Sequence, residues 1–394
     1  MRPTPPLAQR VRETQSSAIR DLLTITARAQ IVSLAGGLPD PELVPRQRIA
    51  EAADRALAQL GCVQYTETPG WAPLREVVAA RESVRLSRPI GVDEIVVTHG
   101  SQQALALLGQ ALLDPGSLVI VEDPAYVGAL QVFRAAGARI VAVPLDADGM
   151  RLDVLAERLA AGERPTVVHT VSNFHNPGSV TMSAARRVRL AALAEEYGFW
   201  VLEDDPYGEL HFGTPVPEPV AAHTDRVIRL SSASKTLAPA LRTGWLVAPV
   251  PVCRAVELLK QGADLCGSAL TQQIAAELLA DEAWFAGHLE TVRQVYGQRC
   301  AALGAALDEA FGPVARRTRV DGGMFSWVDF LDDTDTTELL STAVDFGVAY
   351  VPGSAFAVAG GYRSSMRLCF TTAEPAVLAD AVGRLARAYA HSQS

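Results

Sequence analysis

The residues with the most chemistry in this chain stand in Ser231-Ser-Ala-Ser-Lys-Thr-Leu-Ala-Pro-Ala-Leu-Arg-Thr-Gly-Trp245, where Lys235 sits among hydroxyls and Arg242 follows in the same segment. A lysine at the mouth of a sheet is a Schiff-base nucleophile when burial or neighbouring cations lower its pKa, and a solvated loop residue when they do not. Ser232-Ala-Ser-Lys235 also satisfies the S-x-x-K pattern of serine acylases, but no K-T-G element accompanies it. Phe199-Trp-Val-Leu-Glu-Asp-Asp-Pro-Tyr207 brings Asp204, Asp205 and Tyr207 to the end of an apolar run. Either aspartate there could bind a metal, act as a base, hold a protonated ring nitrogen or cap a helix. Metal binding lacks support, since the His residues are dispersed and no H-E-x-x-H occurs.

Two further segments supply polar groups. Ser172-Asn-Phe-His-Asn-Pro-Gly-Ser179 reads as a turn through Pro177 and Gly178, in which the amide of Asn176 can donate to a ligand oxygen. His175 is read as a structural histidine rather than a base. Thr98-His-Gly-Ser-Gln-Gln couples a run of β-branched residues to a helix start through Gly100, Ser101 and Gln102, which makes either a phosphate cradle or an ordinary cap.

These pieces need elements to hold them. Apolar runs at Ile95–Thr98, Leu118–Val121, Ile140–Val143, Val167–Val171, Phe199–Glu203, Val227–Leu230 and Trp245–Ala248 predict buried strands. Helices are predicted at 101–113, 125–136, 151–161 and 183–197. That alternation predicts an α/β domain whose largely parallel sheet opens its ligand crevice at the carboxyl ends of the strands. The pattern turns helical from Pro251 to Ala310 and closes with strands near Phe325–Phe330, Val348–Val351 and Met366–Phe370. An amphipathic stretch, Val11–Ala27, precedes the Gly/Pro-rich Ser33–Pro41.

With 35 Lys+Arg against 44 Asp+Glu, the formal charge of −9 leaves no broad cationic surface for nucleic acid or anionic lipid. No apolar run approaches the roughly 20 residues a bilayer span requires. The five cysteines form no C-x-x-C pair and fit reduced thiols. A cytoplasmic enzyme with no nucleic-acid or membrane partner is the expectation.

Along nearly its whole length the chain resembles the fold-type I, pyridoxal-5′-phosphate-dependent aminotransferases of class I/II, above all their 2-aminoadipate and multi-substrate branch. The stretches that carry the resemblance include Ser33–Pro45, Gln64–Leu74, Gly100–Leu105, Glu122–Phe133, Asn173–Ser183, Glu203–Phe212, Ser231–Trp245, Gly322–Val328 and Met366–Thr371. The resemblance implies an α/β large domain with a mostly parallel seven-stranded sheet, over residues 40–284. It also implies a smaller α+β domain of residues 285–394, to which an N-terminal arm of residues 1–39 contributes.

Position by position, the resemblance makes Lys235 the Schiff-base lysine and Asp204 the partner of the pyridine nitrogen. Tyr207 and Asn176 would bond the ring's phenolic oxygen, and Tyr126 would stack on the ring. Ser101, Gln102, Ser232, Ser234 and Arg242 would hold the phosphate, with Tyr65 reaching into the neighbouring subunit's site of a homodimer. Arg367, with Gly37 and Asn176, would receive the substrate, and Arg20 of the N-terminal helix would either meet the distal group of an acidic substrate or stay solvated. The family usually reads Asn-Pro-Thr-Gly where this chain has Asn176-Pro177-Gly178-Ser179.

The implied reaction is transfer of an amino group from an α-amino acid to a 2-oxo acid. A PLP-dependent lyase or decarboxylase on the same scaffold is the alternative. Related domains also act as effector sensors behind winged-helix modules, but too few residues precede Gly36 here for such a module, and the charge is acidic.

Overall fold

The computed structural model describes residues 30–393; the Val11–Ala27 stretch and Arg20 lie outside the described residues. The chain enters through β1 (Val32–Ser33), α1 (Arg46–Leu57) and α2 (Ala72–Arg85). Neither helix belongs to the strand alternation read above. The spacing that buries Ala52 and Ala56 of α1 is nonetheless helical.

One sheet then collects β2 (Ile95–Thr98), β3 (Leu118–Asp123), β4 (Arg139–Asp146), β5 (Gly149–Met150), β6 (Val167–Thr170), β7 (Trp200–Asp204), β8 (Val227–Ser232) and β9 (Gly244–Val247) in the order β2-β9-β8-β7-β6-β3-β4-β5. Between them run α3 (Ser101–Leu112), α4 (Val127–Ala135), α5 (Leu152–Ala160) and α6 (Ala184–Tyr197). Pairs β8·β7, β7·β6, β6·β3 and β3·β4 are parallel, whereas β9 is antiparallel to both β2 and β8. The sheet therefore has eight strands where seven were expected. The additional strand is β5, a two-residue antiparallel edge on β4, too short to leave an apolar run in the sequence.

Side-chain alternation divides each strand between two faces. Ile95, Val97, Val201, Val227 and Val247 pack towards α2, α6 and the later α8 (Ala269–Ala280), through Leu74, Leu193 and Ile274. Val96, Leu202, Ile228 and Leu246 pack towards α3, α4 and α7 (Val250–Ala263), through Leu105, Phe133 and Val256. Burial on both faces explains why these strands read as continuous apolar runs.

The remaining elements are α9 (Glu282–Phe311), β10 (Ala315–Arg317), β11 (Phe325–Phe330), α10 (Thr336–Asp345), β12 (Val348–Ala349), β13 (Val351–Pro352), β14 (Ser365–Cys369) and α11 (Pro375–Ser392). They build a four-stranded sheet, β10-β11-β14-β13, and a second core. The 30-residue α9, capped by Asp281 accepting from the Trp284 amide, places Phe285 and Leu289 in the first core and Val292, Leu303, Leu307 and Phe311 in the second. The expected strand Val348–Val351 divides at Tyr350, because β12 pairs with β1 while β13 pairs with β14.

Behind the sheet's carboxyl edge lies a charged network. Arg229 Nε donates to Glu82 Oε2 at 3.0 Å and Nη2 to Asp205 Oδ2 at 2.8 Å, all three side chains at most 2 % exposed. Trp245 Nε1 donates to Glu82 Oε1. Burial opposes all these charges, but the pairing prevails and holds both carboxyls below their ordinary range and the guanidinium above its own. Arg229→Met removes the cation that bonds both carboxylates. It is expected to lower unfolding stability by about 3–5 kcal/mol, read as a drop in the urea midpoint.

Candidate active site

Beyond the carboxyl ends of β2, β6, β7 and β8 lies a cavity of about 450 Å³, also lined by residues of the second core's sheet. Lys235 enters it from a turn fixed by Ala233 N donating to Thr243 O and Leu237 N to Ala233 O. Its Nζ donates to the Gly37 carbonyl at 2.6 Å. Burial lowers the amine to about 8; the nearby Arg367 and Arg242 guanidiniums add to this and Cys369 opposes it.

Beside the lysine, the cavity reaches the start of α3, where no side chain caps the helix and the first amides are left for a ligand. Gly100 (φ +74°) lets Arg242 approach the helix start, and Gly244 lets its strand pack against the Gly100–Ser101 backbone. A Cβ on Gly244 would lie 2.7 Å from Gly100 Cα, and one on Gly100 would lie 2.8 Å from Arg242 Nη2. Arg242 reaches over from its own left-handed position (φ +49°), donating to the His99 carbonyl at 2.7 Å. Ser232 Oγ lies 2.8 Å from Ser234 Oγ, and both serines line the cavity with Ser101. Gln102 Nε2 donates to the Gly128 carbonyl, while its Oε1 accepts from Tyr126 OH at 3.2 Å. Gly100→Ala is expected to displace Arg242 and weaken cofactor binding about tenfold. Equilibrium dialysis of the cofactor would measure it.

Across the cavity stands Asp204, the last residue of β7. Its carboxylate is buried, and Oδ1 has no hydrogen-bond partner. Residue type alone left Asp204 and Asp205 open, and the resemblance singled out Asp204. The structure separates them, since Asp205 bonds Arg229 and the Gly208 amide. Tyr207, hydrogen-bonded to Asn176, and Tyr126 both have hydroxyl pKa values pushed well above the ordinary phenol by burial.

Asn176 is held by a loop that α6 secures through a fully buried guanidinium. Arg187 donates to the Met182 and Ser172 carbonyls and to Asn173 Oδ1. His175 proves structural, with Nδ1 accepting from the Gly178 amide at 3.0 Å and Nε2 3.1 Å from Glu122 Oε2. In the Asn-Pro-Gly-Ser departure, Ser179 adopts φ +62° and donates Oγ–H to the Phe325 carbonyl at 2.9 Å, a bond that offsets the cost of a left-handed serine. Asn176 keeps its place in the cavity wall.

The fourth wall is Arg367 of β14. Its Nη1 donates to Asn176 Oδ1 at 2.7 Å and Nη2 to the Ala35 carbonyl at 2.8 Å, while Nε has no partner. The guanidinium lies 4.2 Å from the centroid of Phe325 and 5.1 Å from that of Phe356. Burial lowers it to about 10, so it remains charged at neutral pH.

All the described residues expected at the site line this cavity except Tyr65, which is 77 % exposed and stands elsewhere. Arg20 lies outside the described residues. Sequence reading passed over Phe325 beneath Arg367, and it also missed Arg187, Arg229 and Glu82. A charged residue inside an apolar run, as in Val227-Ile-Arg229-Leu, was the available signal for Arg229.

A dianionic group fits the uncapped helix start, the serines and Arg242. A protonated ring nitrogen fits the orphaned oxygen of Asp204, and a carbonyl fits the lowered amine of Lys235. The family described as aminotransferase class I and II matches residues 29–385. The chain belongs to the class I and II aminotransferases.

This aminotransferase is 41% identical over 382 residues to the 2-aminoadipate transaminase of Thermus thermophilus, across 95% of this chain and 94% of that protein. It is 38% identical over 380 residues to aromatic-amino-acid aminotransferase 1 of Thermococcus litoralis, across 94% and 91%. With a TM-score of 0.90 and 38% identity it matches the crystal structure of LysN, the α-aminoadipate aminotransferase of Thermus thermophilus, complexed with N-(5′-phosphopyridoxyl)-L-leucine, over 98% of this chain and 97% of that one. The enzyme has the type I fold, uses pyridoxal 5′-phosphate and transfers amino groups between amino and oxo acids. None of these comparisons supports the lyase or decarboxylase alternative.

Proposed function

We propose that the cavity residues divide the transamination of an α-amino acid with a 2-oxo acid as follows. Bound pyridoxal phosphate supplies an electrophilic carbonyl conjugated to an electron-withdrawing ring. The first amides of α3, the hydroxyls of Ser101, Ser232 and Ser234, and Arg242 hold its phosphate, with Gln102 bracing Tyr126 at the ring face. Asp204 keeps the ring nitrogen protonated, which strengthens electron withdrawal. Tyr207 and Asn176 donate to the phenolic oxygen, and the raised Tyr207 pKa keeps that hydroxyl a donor at neutral pH.

Lys235 carries the cofactor in the resting enzyme. Its amine, when free, would be the base that takes up and hands on the proton released at the substrate Cα. Arg367 binds the substrate α-carboxylate and so fixes which Cα bond stands across the ring. Gly37 contributes its carbonyl to Lys235 and its bare backbone to the substrate's space. The observation that carries this reading is the juxtaposition of a half-buried lysine amine and an unpartnered buried carboxylate oxygen at one cavity.

Among the described lining residues, the cations are Lys235, Arg242 and Arg367, all already occupied, while Leu38, Val127, Val171 and Phe325 are apolar. That lining supports donors with apolar or aromatic side chains; a dicarboxylic donor would call on Arg20. Incubating the enzyme with phenylalanine or 2-aminoadipate and 2-oxoglutarate tests this. Glutamate plus a 2-oxo acid of unchanged carbon skeleton is expected, faster from phenylalanine, whereas released CO2 or ammonia in place of glutamate would refute the reaction.

We further propose a homodimer. Leu57, Leu60, Val63 and Tyr65 are each more than half exposed, forming an apolar strip that a second copy would cover, with Tyr65 extending into that copy's site. Five unpaired thiols support a cytoplasmic location. Residues 40–284 and 285–394 are proposed as two units, with residues 1–39 joined to the second, an arrangement supported by Leu34 packing in the second core.

A further inference from the structure

We infer that His169 is a positioning residue for Asp204. β6 and β7 run in parallel with His169 opposite Leu202 and Thr170 opposite Glu203, so His169 stands one pleat below Asp204 on the adjacent strand. Phe133 of α4 meets the imidazole edge-on, with ring centroids 5.7 Å apart at 72°, and limits how it can turn. Each of the two residues is 2 % exposed.

Nε2 of His169 lies 3.9 Å from Asp204 Oδ2, and neither this nitrogen nor Asp204 Oδ1 has a hydrogen-bond partner. A buried donor and a buried carboxylate left apart each forfeit their hydration without return, so there is a strong drive to close the gap. A movement of about 1 Å makes it a charge-assisted hydrogen bond. With its proton on Nε2, His169 engages one carboxylate oxygen from the adjacent strand, which fixes the carboxylate plane and leaves the other oxygen for the ring nitrogen. His169 itself does not line the cavity and therefore acts only through Asp204.

The inference rests on the proposed role of Asp204 at the ring nitrogen, and the test separates the two. Dissociation constants are measured for pyridoxal phosphate and for its 1-deaza analogue, which has carbon in place of the ring nitrogen. The wild type is expected to prefer pyridoxal phosphate, and Asp204→Ala to abolish that preference. His169→Leu narrows the preference about tenfold, whereas His169→Gln, which keeps an N–H donor, stays within about threefold of wild type. Should His169→Leu fail to fold, His169→Met serves in its place.

A His169→Leu protein that binds both cofactors more weakly by the same factor has lost packing only, and that result overturns the inference. An unchanged preference overturns it as well. A preference that survives Asp204→Ala overturns the underlying role of Asp204, and the inference with it.

Discussion

Replacing Lys235 by alanine is expected to lower turnover by about 10⁴-fold, the largest effect of any single change at this site. The side chain has two tasks, carrying the cofactor and moving the proton from Cα, and the other described cations at the cavity, Arg242 and Arg367, are guanidiniums, which offer donors only and cannot serve as a base. The protein should still fold. Lys235→Ala gives up one bond to the Gly37 carbonyl but also relieves the burial of an amine, so thermal stability changes by no more than about 1 kcal/mol. Single-turnover conversion of an amino acid, followed with circular dichroism as a folding control, measures the effect. A folded variant with near-normal turnover would remove Lys235 from the mechanism.

The lowered pKa gives the same residue a pH signature. Below about 8 the amine is mostly protonated and unreactive; above it the free amine predominates. The rate at which the cofactor-free protein couples pyridoxal phosphate, followed by its absorbance, is therefore expected to rise through about pH 8. An unperturbed lysine would not reach its midpoint until two to three pH units higher, near about 10.4.

Arg367→Lys carries the second largest expected effect. Lysine retains the charge but loses both the planar fork and the stacking between Phe325 and Phe356, and it cannot bond Asn176 and Ala35 while also offering paired donors to a carboxylate. We expect kcat/KM for an amino acid to fall about 100-fold, as for other desolvated charge pairs, and cofactor affinity to stay within about threefold. The control is the corresponding amine without its carboxylate. If Arg367 reads that group, the wild-type enzyme's preference for amino acid over amine collapses in the variant. An equal loss with both substrates would mean that Arg367 merely supports the wall made by Asn176 and the Ala35–Gly36 backbone.

The most legible parts of the sequence were those where local chemistry is unambiguous. β2 was read over its full length because a strand buried on both faces is apolar throughout. β5 was invisible because two residues carry no pattern. Val348–Val351 read as one strand although its halves serve different sheets, a division made by partners distant in the chain. Asn176 and Lys235 could be singled out by type and position, and His175 was read as structural from its turn, whereas His169, inside the apolar run Val167–Val171, drew no reading until Asp204 was placed beside it.

The sequence by itself determined the alternation of strands and helices, the residue types at the strand ends and the family likeness, because these depend on short-range periodicity and on chemistry local to each motif. Only the tertiary structure showed that Asp205 turns to Arg229 while an oxygen of Asp204 stays unpartnered, that Lys235 is half-buried against the Gly37 carbonyl, and that Arg367 reaches Asn176 and Ala35. Those outcomes depend on which charges and apolar surfaces meet across long sequence separations, from Glu82 to Arg229 and from Ala35 to Arg367, and no local pattern encodes them.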